Sequence, residues 1–82
     1  MEIKVLGPGC ARCHQLDQMT REVVKALGIE AEIEYVQDVK RIIEYPILTT
    51  PSLVIDEKVV CSGRVPSKSE VTTYITTALA KE

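Results

Sequence analysis

Gly7-Pro8-Gly9-Cys10-Ala11-Arg12-Cys13-His14 (GPGCARCH, residues 7–14) decides how the rest of this chain is read. Its core satisfies three patterns at once: a redox Cys-x-x-Cys, half of a zinc site, and the Cys-x-x-Cys-His that attaches a c-type haem. The flanking residues distinguish them. Upstream, Glu2 to Leu6 (EIKVL) is short and β-compatible, and Gly7-Pro8-Gly9 ends it. Downstream, Cys13, Leu16, Thr20, Val23, Val24 and Leu27 recur at helical spacing, and Gly28 supplies the stop. The cysteines therefore fall at a strand-to-helix junction.

Further along, Ala31, Ile33 and Tyr35 alternate with Glu32 and Glu34, the pattern of a half-covered strand. Asp38 is a fair N-cap for a short helix carrying Val39, Ile42 and Ile43 inward and ending before Pro46. Ser52 to Ile55 and Lys58 to Ser62 flank Asp56-Glu57, a hairpin turn lacking the favoured glycine, and Gly63 closes the second strand. Ser67 and Glu70 make an S-x-x-E capping box, after which Val71, Tyr74, Ile75, Ala78 and Leu79 share one helical face. The order is β-α-β-α-β-β-α: an α/β fold with a four-stranded mixed sheet flanked by three helices, in a single domain over residues 1–82.

Composition narrows the function. With 45% hydrophobic and 27% charged residues, the chain has ordinary globular character, and no apolar run approaches the ~20 residues of a membrane span. The net charge of −2, without basic clusters, and the absence of Trp and Phe argue against a nucleic-acid partner. MEIKVLGPGC lacks the basic-then-apolar pattern of a secretory signal, so a cytoplasmic location is expected, with no membrane partner. Three cysteines cannot all pair within the chain and are too few for a disulfide scaffold, so Cys10 and Cys13 read as chemical residues.

At a helix N-cap, unpaired N–H groups and the positive end of the helix dipole favour an anion, so a Cys10 thiolate should be stabilised below the reference pKa of ~8.5. Arg12 adds positive charge, and Gly9 leaves the Cys10 sulfur open, whereas Cys13 begins the buried stripe. The outer sulfur attacks and the inner one resolves. Zinc would need Cys10, Cys13, Cys61 and His14 in one tetrahedron, but His14 points around the helix from Cys13, so no metal is expected. Haem attachment needs an exported chain and an axial partner, while Met19 lies on the same helix; no cofactor is expected. Cys61 reads as a small apolar residue on a strand, His14 as a partly exposed residue able to tune the thiols, and the tyrosines as core or rim packing. Glu30, Glu32 and Glu34 read as a solvated edge.

Taken together, the Cys-x-x-Cys at the first strand-to-helix junction and Thr49-Thr50-Pro51-Ser52 opening a hairpin resemble the thioredoxin-fold superfamily in its short, glutaredoxin-sized form. GPGCARC with TPSLVIDEKVVCSGRVPS is similar to the small prokaryotic "redox-active disulfide protein" group. The resemblance implies a cis Thr50-Pro51 bond against the cysteine pair, a Thr50 backbone that hydrogen-bonds an extended substrate, and Gly63 and Arg64 bordering the groove. Thioredoxins carry Trp before the first cysteine and Gly-Pro within the pair, and glutaredoxins Pro-Tyr; this chain has Gly9 and Ala11-Arg12. The buried acid that thioredoxins place six residues before the first cysteine falls, without gaps, at Lys4, so the resemblance assigns no proton acceptor for Cys13.

The resulting expectation is a thiol-disulfide oxidoreductase with Cys10 and Cys13 catalytic, Thr50, Pro51, Gly63 and Arg64 binding substrate, and Gly9, Arg12 and His14 tuning. Its partners are a protein disulfide and an unidentified thiol or reductase electron donor, and it acts as a monomer. The rival reading is a non-catalytic thioredoxin-fold module that binds a partner or senses redox state.

Overall fold

The computed structural model describes residues 1–47 and 49–80. Seven elements follow in the expected order: β1 (Glu2–Leu6), α1 (Ala11–Leu27), β2 (Glu32–Val36), α2 (Val39–Ile42), β3 (Ser52–Ile55), β4 (Lys58–Ser62) and α3 (Lys68–Ala80). The strands form one sheet in the order β2-β1-β3-β4. β1 runs parallel to β2, and β3 antiparallel to both β1 and β4. The sheet is therefore mixed, with a βαβ half joined to a hairpin.

Alternation along the strands divides the interior into two layers. Ile3, Val5, Leu53, Ile55 and Cys61 face α1 and α3, which contribute Leu16, Val23, Val24, Val71 and Ile75. Leu6, Val36 and Val54 point to the opposite face, under Ile42 of α2. The central strand β3 is buried at all of its residues, so Ser-Leu-Val-Ile reads as a run and not as an alternation. Burying each large aliphatic side chain contributes roughly 1.5–3 kcal/mol, so the layer beneath α1 and α3 holds most of the stabilising apolar contact. A bulge between Leu53 and Val54 brings both Val60 and Cys61 to that layer.

Helix α2 corrects the expected pattern. Ile42 is 6% exposed, but Val39 is 59% and Ile43 72% exposed. Successive helical residues are about 100° apart, so a single turn of four residues presents one inward position. Tyr45 and Ile47, beyond the helix, pack beside Ile42 and take the space that Val39 and Ile43 were expected to fill.

The glycine-free hairpin turn is of the primed type, with φ of 48° at Asp56 and 66° at Glu57. Left-handed conformations cost non-glycine residues about 1–2 kcal/mol each, and the surroundings answer that cost. Asp56 accepts from the Glu2 N–H at 2.9 Å and returns its own N–H to the Glu2 carbonyl at 2.8 Å. The Glu57 carboxylate is held by the Lys4 ammonium and by the Tyr45 hydroxyl at 3.0 Å.

The capping box forms as expected: the Glu70 N–H donates to Ser67 Oγ at 3.2 Å, and the Ser67 N–H donates to Glu70 Oε1 at 3.1 Å. Arg64 closes on the same carboxylate with two hydrogen bonds, of 3.2 and 2.6 Å. The Arg64 guanidinium first, and the Ser67 N–H second, hold the Glu70 carboxyl down at about 2. A carboxyl depressed in the folded state stabilises fully above its ordinary value of 4.5 and loses that contribution as pH falls toward 2. Glu70→Gln keeps an amide able to cap but removes the titration. Its melting temperature should therefore fall less steeply than the wild type's between pH 4.5 and 2, as followed by circular dichroism.

Candidate active site

Strand register assembles the site at one end of the sheet. Leu6, the last residue of β1, lies between Val36, the last of β2, and Ser52, the first of β3. Ser52 in turn pairs with Ser62 at the end of β4. The Gly7–Cys10 loop, Gln37, Thr50-Pro51 and Gly63-Arg64 thus all leave or enter the sheet at the same end. This is the carboxyl end of the parallel pair, the side on which α1 begins.

Cys10 is the N-cap of α1, with extended backbone (φ −73°, ψ 165°), and its sulfur accepts the Cys13 N–H at 3.2 Å. The first turn contains no acidic residue to oppose a negative charge there. Cys10 and Cys13 are joined by a disulfide, with Cα atoms 5.1 Å apart. The two sulfurs belong to different environments: Cys10 is exposed, whereas Cys13 is 0% exposed.

Gly9 has φ +105°, a conformation L side chains rarely adopt, although a Cβ would meet only Gln37 Nε2 at 3.6 Å. The backbone, not crowding, requires glycine here. Arg12 is exposed and forms no ion pair among the described residues. His14 is exposed and stands edge-on to Tyr35 of β2, ring centroids 5.3 Å apart. The buried Tyr35 hydroxyl finds no hydrogen-bond partner among the described residues.

The Thr50-Pro51 peptide is cis, Pro51 is fully buried, and its carbonyl accepts the Gly63 N–H at 3.0 Å. Ser52 Oγ ties the corner together, donating to the Thr49 carbonyl at 2.9 Å and lying 3.1 Å from Ser62 Oγ. At Gly63, where φ is +80°, a Cβ would press on Thr49 Oγ1. The Arg64 side chain turns to Glu70 and Tyr74 on α3, so its backbone and not its guanidinium remains beside Gly63.

Lys4 lies on the sheet face opposite α1. Its ammonium is held well above the ordinary lysine range by hydrogen bonds to Glu57 and then to Tyr45. The position that aligns with the buried acid of thioredoxins is thus a hairpin clamp, directed away from Cys13. Cys61 is a buried free cysteine, 7% exposed, with its sulfur 3.8 Å from the Arg64 carbonyl. Of the side chains a zinc site would need, Cys61 is in the core and His14 stands against Tyr35, so among the described residues neither joins Cys10 and Cys13 in a metal-binding cluster. A depression lined by Met1, Glu2, Ile29, Glu30, Ala31 and Glu32 is at the other end of the sheet.

Residue patterns assign Gln37 no role, Gly7 only the end of a strand, and Tyr35 only core or rim packing. A usable signal existed for Gln37, since residues following the carboxyl ends of parallel strands line the crevice where such sheets bind. The Tyr35 contact depends on the rotation of α1 above β2, which residue spacing does not specify.

A family model described as "Thioredoxin domain" matches residues 1–76. A thioredoxin of Methanothermobacter thermautotrophicus is 41% identical over 71 residues, covering 87% of this chain and 92% of that one. A thioredoxin of Methanocaldococcus jannaschii is 38% identical over 69 residues, covering 84% and 79% respectively.

Because Cys61 packs in the layer under α1 and α3 while Cys10 is exposed at the sheet end, Cys61→Ser should leave disulfide-reduction rates within about twofold of wild type. The new hydroxyl in apolar surroundings should cost about 1–3 kcal/mol in denaturant unfolding. A large catalytic loss would assign Cys61 to the reaction.

Proposed function

The chain belongs to the thioredoxin-domain family, a thiol-disulfide oxidoreductase with a Cys-x-x-Cys pair, and from this premise we propose that Cys10 attacks and Cys13 resolves. One observation carries the assignment: Cys10 is exposed and accepts a helix N-terminal N–H at 3.2 Å, while Cys13 is wholly buried one turn inside. The thiolate is the nucleophile, and the N-cap is the position that stabilises it.

In the reducing direction, Cys10 Sγ⁻ attacks one sulfur of a protein disulfide. A Cys10–partner disulfide forms, and the partner's other sulfur leaves as a thiolate and takes a proton from water. Cys13 loses its proton, attacks Cys10 Sγ, and expels the partner's second sulfur. Two electrons pass to the partner, and the chain is left with the Cys10–Cys13 disulfide. A thiol or reductase donor returns it to the dithiol.

Thr50, Pro51 and Gly63, with the Arg64 backbone, form the substrate rim in this reading, supported by their position at the sheet end that carries Cys10. Gly9, Arg12 and His14 tune the pair: Gly9 by the backbone conformation that presents Cys10, Arg12 by its charge at the first turn, and His14 by its place next to Cys13 against Tyr35. The enzyme works as a single-domain monomer in the cytoplasm, on proteins and not on nucleic acids. The net charge of −2 supports the choice of partner, and among the described residues no helix is long and apolar enough to cross a membrane.

Cys13→Ser should trap a disulfide-bonded protein such as insulin on Cys10 as a stable mixed disulfide, visible on non-reducing gels. Cys10→Ser should abolish both reduction and trapping. Trapping on Cys13 instead would reverse the roles. Retention of partner binding after loss of both cysteines, with no turnover by wild type, would favour a binding module.

A further inference from the structure

The glycine-rich loop holds a residue that no catalytic role has absorbed. Gly7 is buried, and its N–H donates to the Val36 carbonyl at 3.0 Å, which extends the β1–β2 ladder past the strand end. A Cβ built on Gly7 would collide with Cys13 Sγ and lie 2.8 Å from Cys13 Cβ. Neither side can easily give way. Gly7 is pinned to β2, and Cys13 sits on a helix whose next inward residue, Leu16, is fully buried against β1. Gly7 is also not among the positive-φ glycines, so its backbone would accept alanine. What demands glycine at this position is the room taken up by the Cys13 side chain, its sulfur first and its Cβ with it.

We propose that Gly7 is a positioning residue for the resolving step, its bare α-carbon forming the seat that sets where the Cys13 sulfur lies beneath Cys10. The inference rests on the assignment of Cys10 as attacker and Cys13 as resolver. In the mixed disulfide, Cys13 Sγ⁻ must approach Cys10 Sγ in line with the bond to the partner. The Cys10–Cys13 bond then forms as the partner thiolate leaves. Cys10 attack, made from the exposed side, does not use the seat. Gly7 should therefore affect the second step and not the first, because misplacement of a reacting atom by an ångström can cost about a hundredfold.

The test separates the two steps in one reaction. Reduced wild type and Gly7→Ala are mixed with a limiting amount of a nitrobenzoate disulfide whose thiolate is coloured. Cys10 attack releases one coloured thiolate, and Cys13 attack releases the second. The variant should keep its first phase within about twofold of wild type and slow its second by about tenfold or more. An unchanged second phase, or equal slowing of both, would overturn the proposal. Failure of the underlying role assignment shows separately, as a first phase in wild type that survives Cys10→Ser. Should Gly7→Ala unfold, the same substitution in a Cys13→Gly background decides the matter. With the sulfur and Cys13 Cβ gone, it should lower the melting temperature less than it does when Cys13 is present; an equal or larger drop would contradict the seat.

Discussion

The opening N–H groups of α1 have no helical carbonyl to donate to, and one of them, that of Cys13, is answered by a sulfur atom. Much of the molecule can be understood from that cap. It requires the chain to arrive extended at Cys10, which Gly9 makes possible with a backbone conformation other residues avoid. It requires α1 to start just beyond the carboxyl end of β1, which the parallel pairing with β2 and the Gly7–Val36 hydrogen bond secure. It also sets the second cysteine one turn inside the helix, on the stripe that Leu16, Thr20, Val23 and Val24 bury. Exposure of one sulfur and burial of the other follow from helix geometry together with the packing of that stripe onto the sheet.

The same end of the sheet receives the other loops because of register. Once Leu6 pairs with Ser52, and Ser52 with Ser62, the Thr50-Pro51 corner and Gly63 have little choice of position. The opposite face does different work. Lys4, Tyr45 and Glu57 tie β1 to a hairpin turn built from two left-handed non-glycine residues. Arg41 grips Glu34 across the α2 face, with one hydrogen bond of 2.9 Å, and holds that carboxyl below its ordinary range. On this face charge pairs stand where α2 is too short to cover the sheet, whereas the face covered by α1 and α3 is packed with apolar side chains and carries its ion pairs on the outer surface of the helices.

What was legible in the sequence was local chemistry with a strong physical signature. The α1 stripe from Cys13 to Val24 with Gly28 as the helix stop, the Ser67–Glu70 box and the Cys10 cap each depend on neighbours within a turn, and each stands where residue spacing puts it. Leu27, expected on the same stripe, is exposed in the last turn, beyond the part of α1 that packs on the core. What was not legible depended on distant partners. Val39 and Ile43 look as apolar as Ile42, yet the four-residue length of α2 and the arrival of Tyr45 and Ile47 leave room for only one. The Asp56-Glu57 turn looked weak because its supports, Glu2 and Lys4, are on another strand. Gly7 looked like loop punctuation, and only the position of the Cys13 sulfur shows what its missing side chain accommodates.

The roles proposed for the two cysteines depend on the N-cap making Cys10 the thiolate. The most direct measurement is the pH dependence of iodoacetamide alkylation of the reduced chain, with the labelled cysteine identified by mass spectrometry. Cys10 should label first, with a midpoint below the ~8.5 of a free cysteine, while Cys13 and Cys61 stay largely unmodified. Labelling of Cys13 ahead of Cys10, or a Cys10 midpoint at or above ~8.5, would contradict these roles.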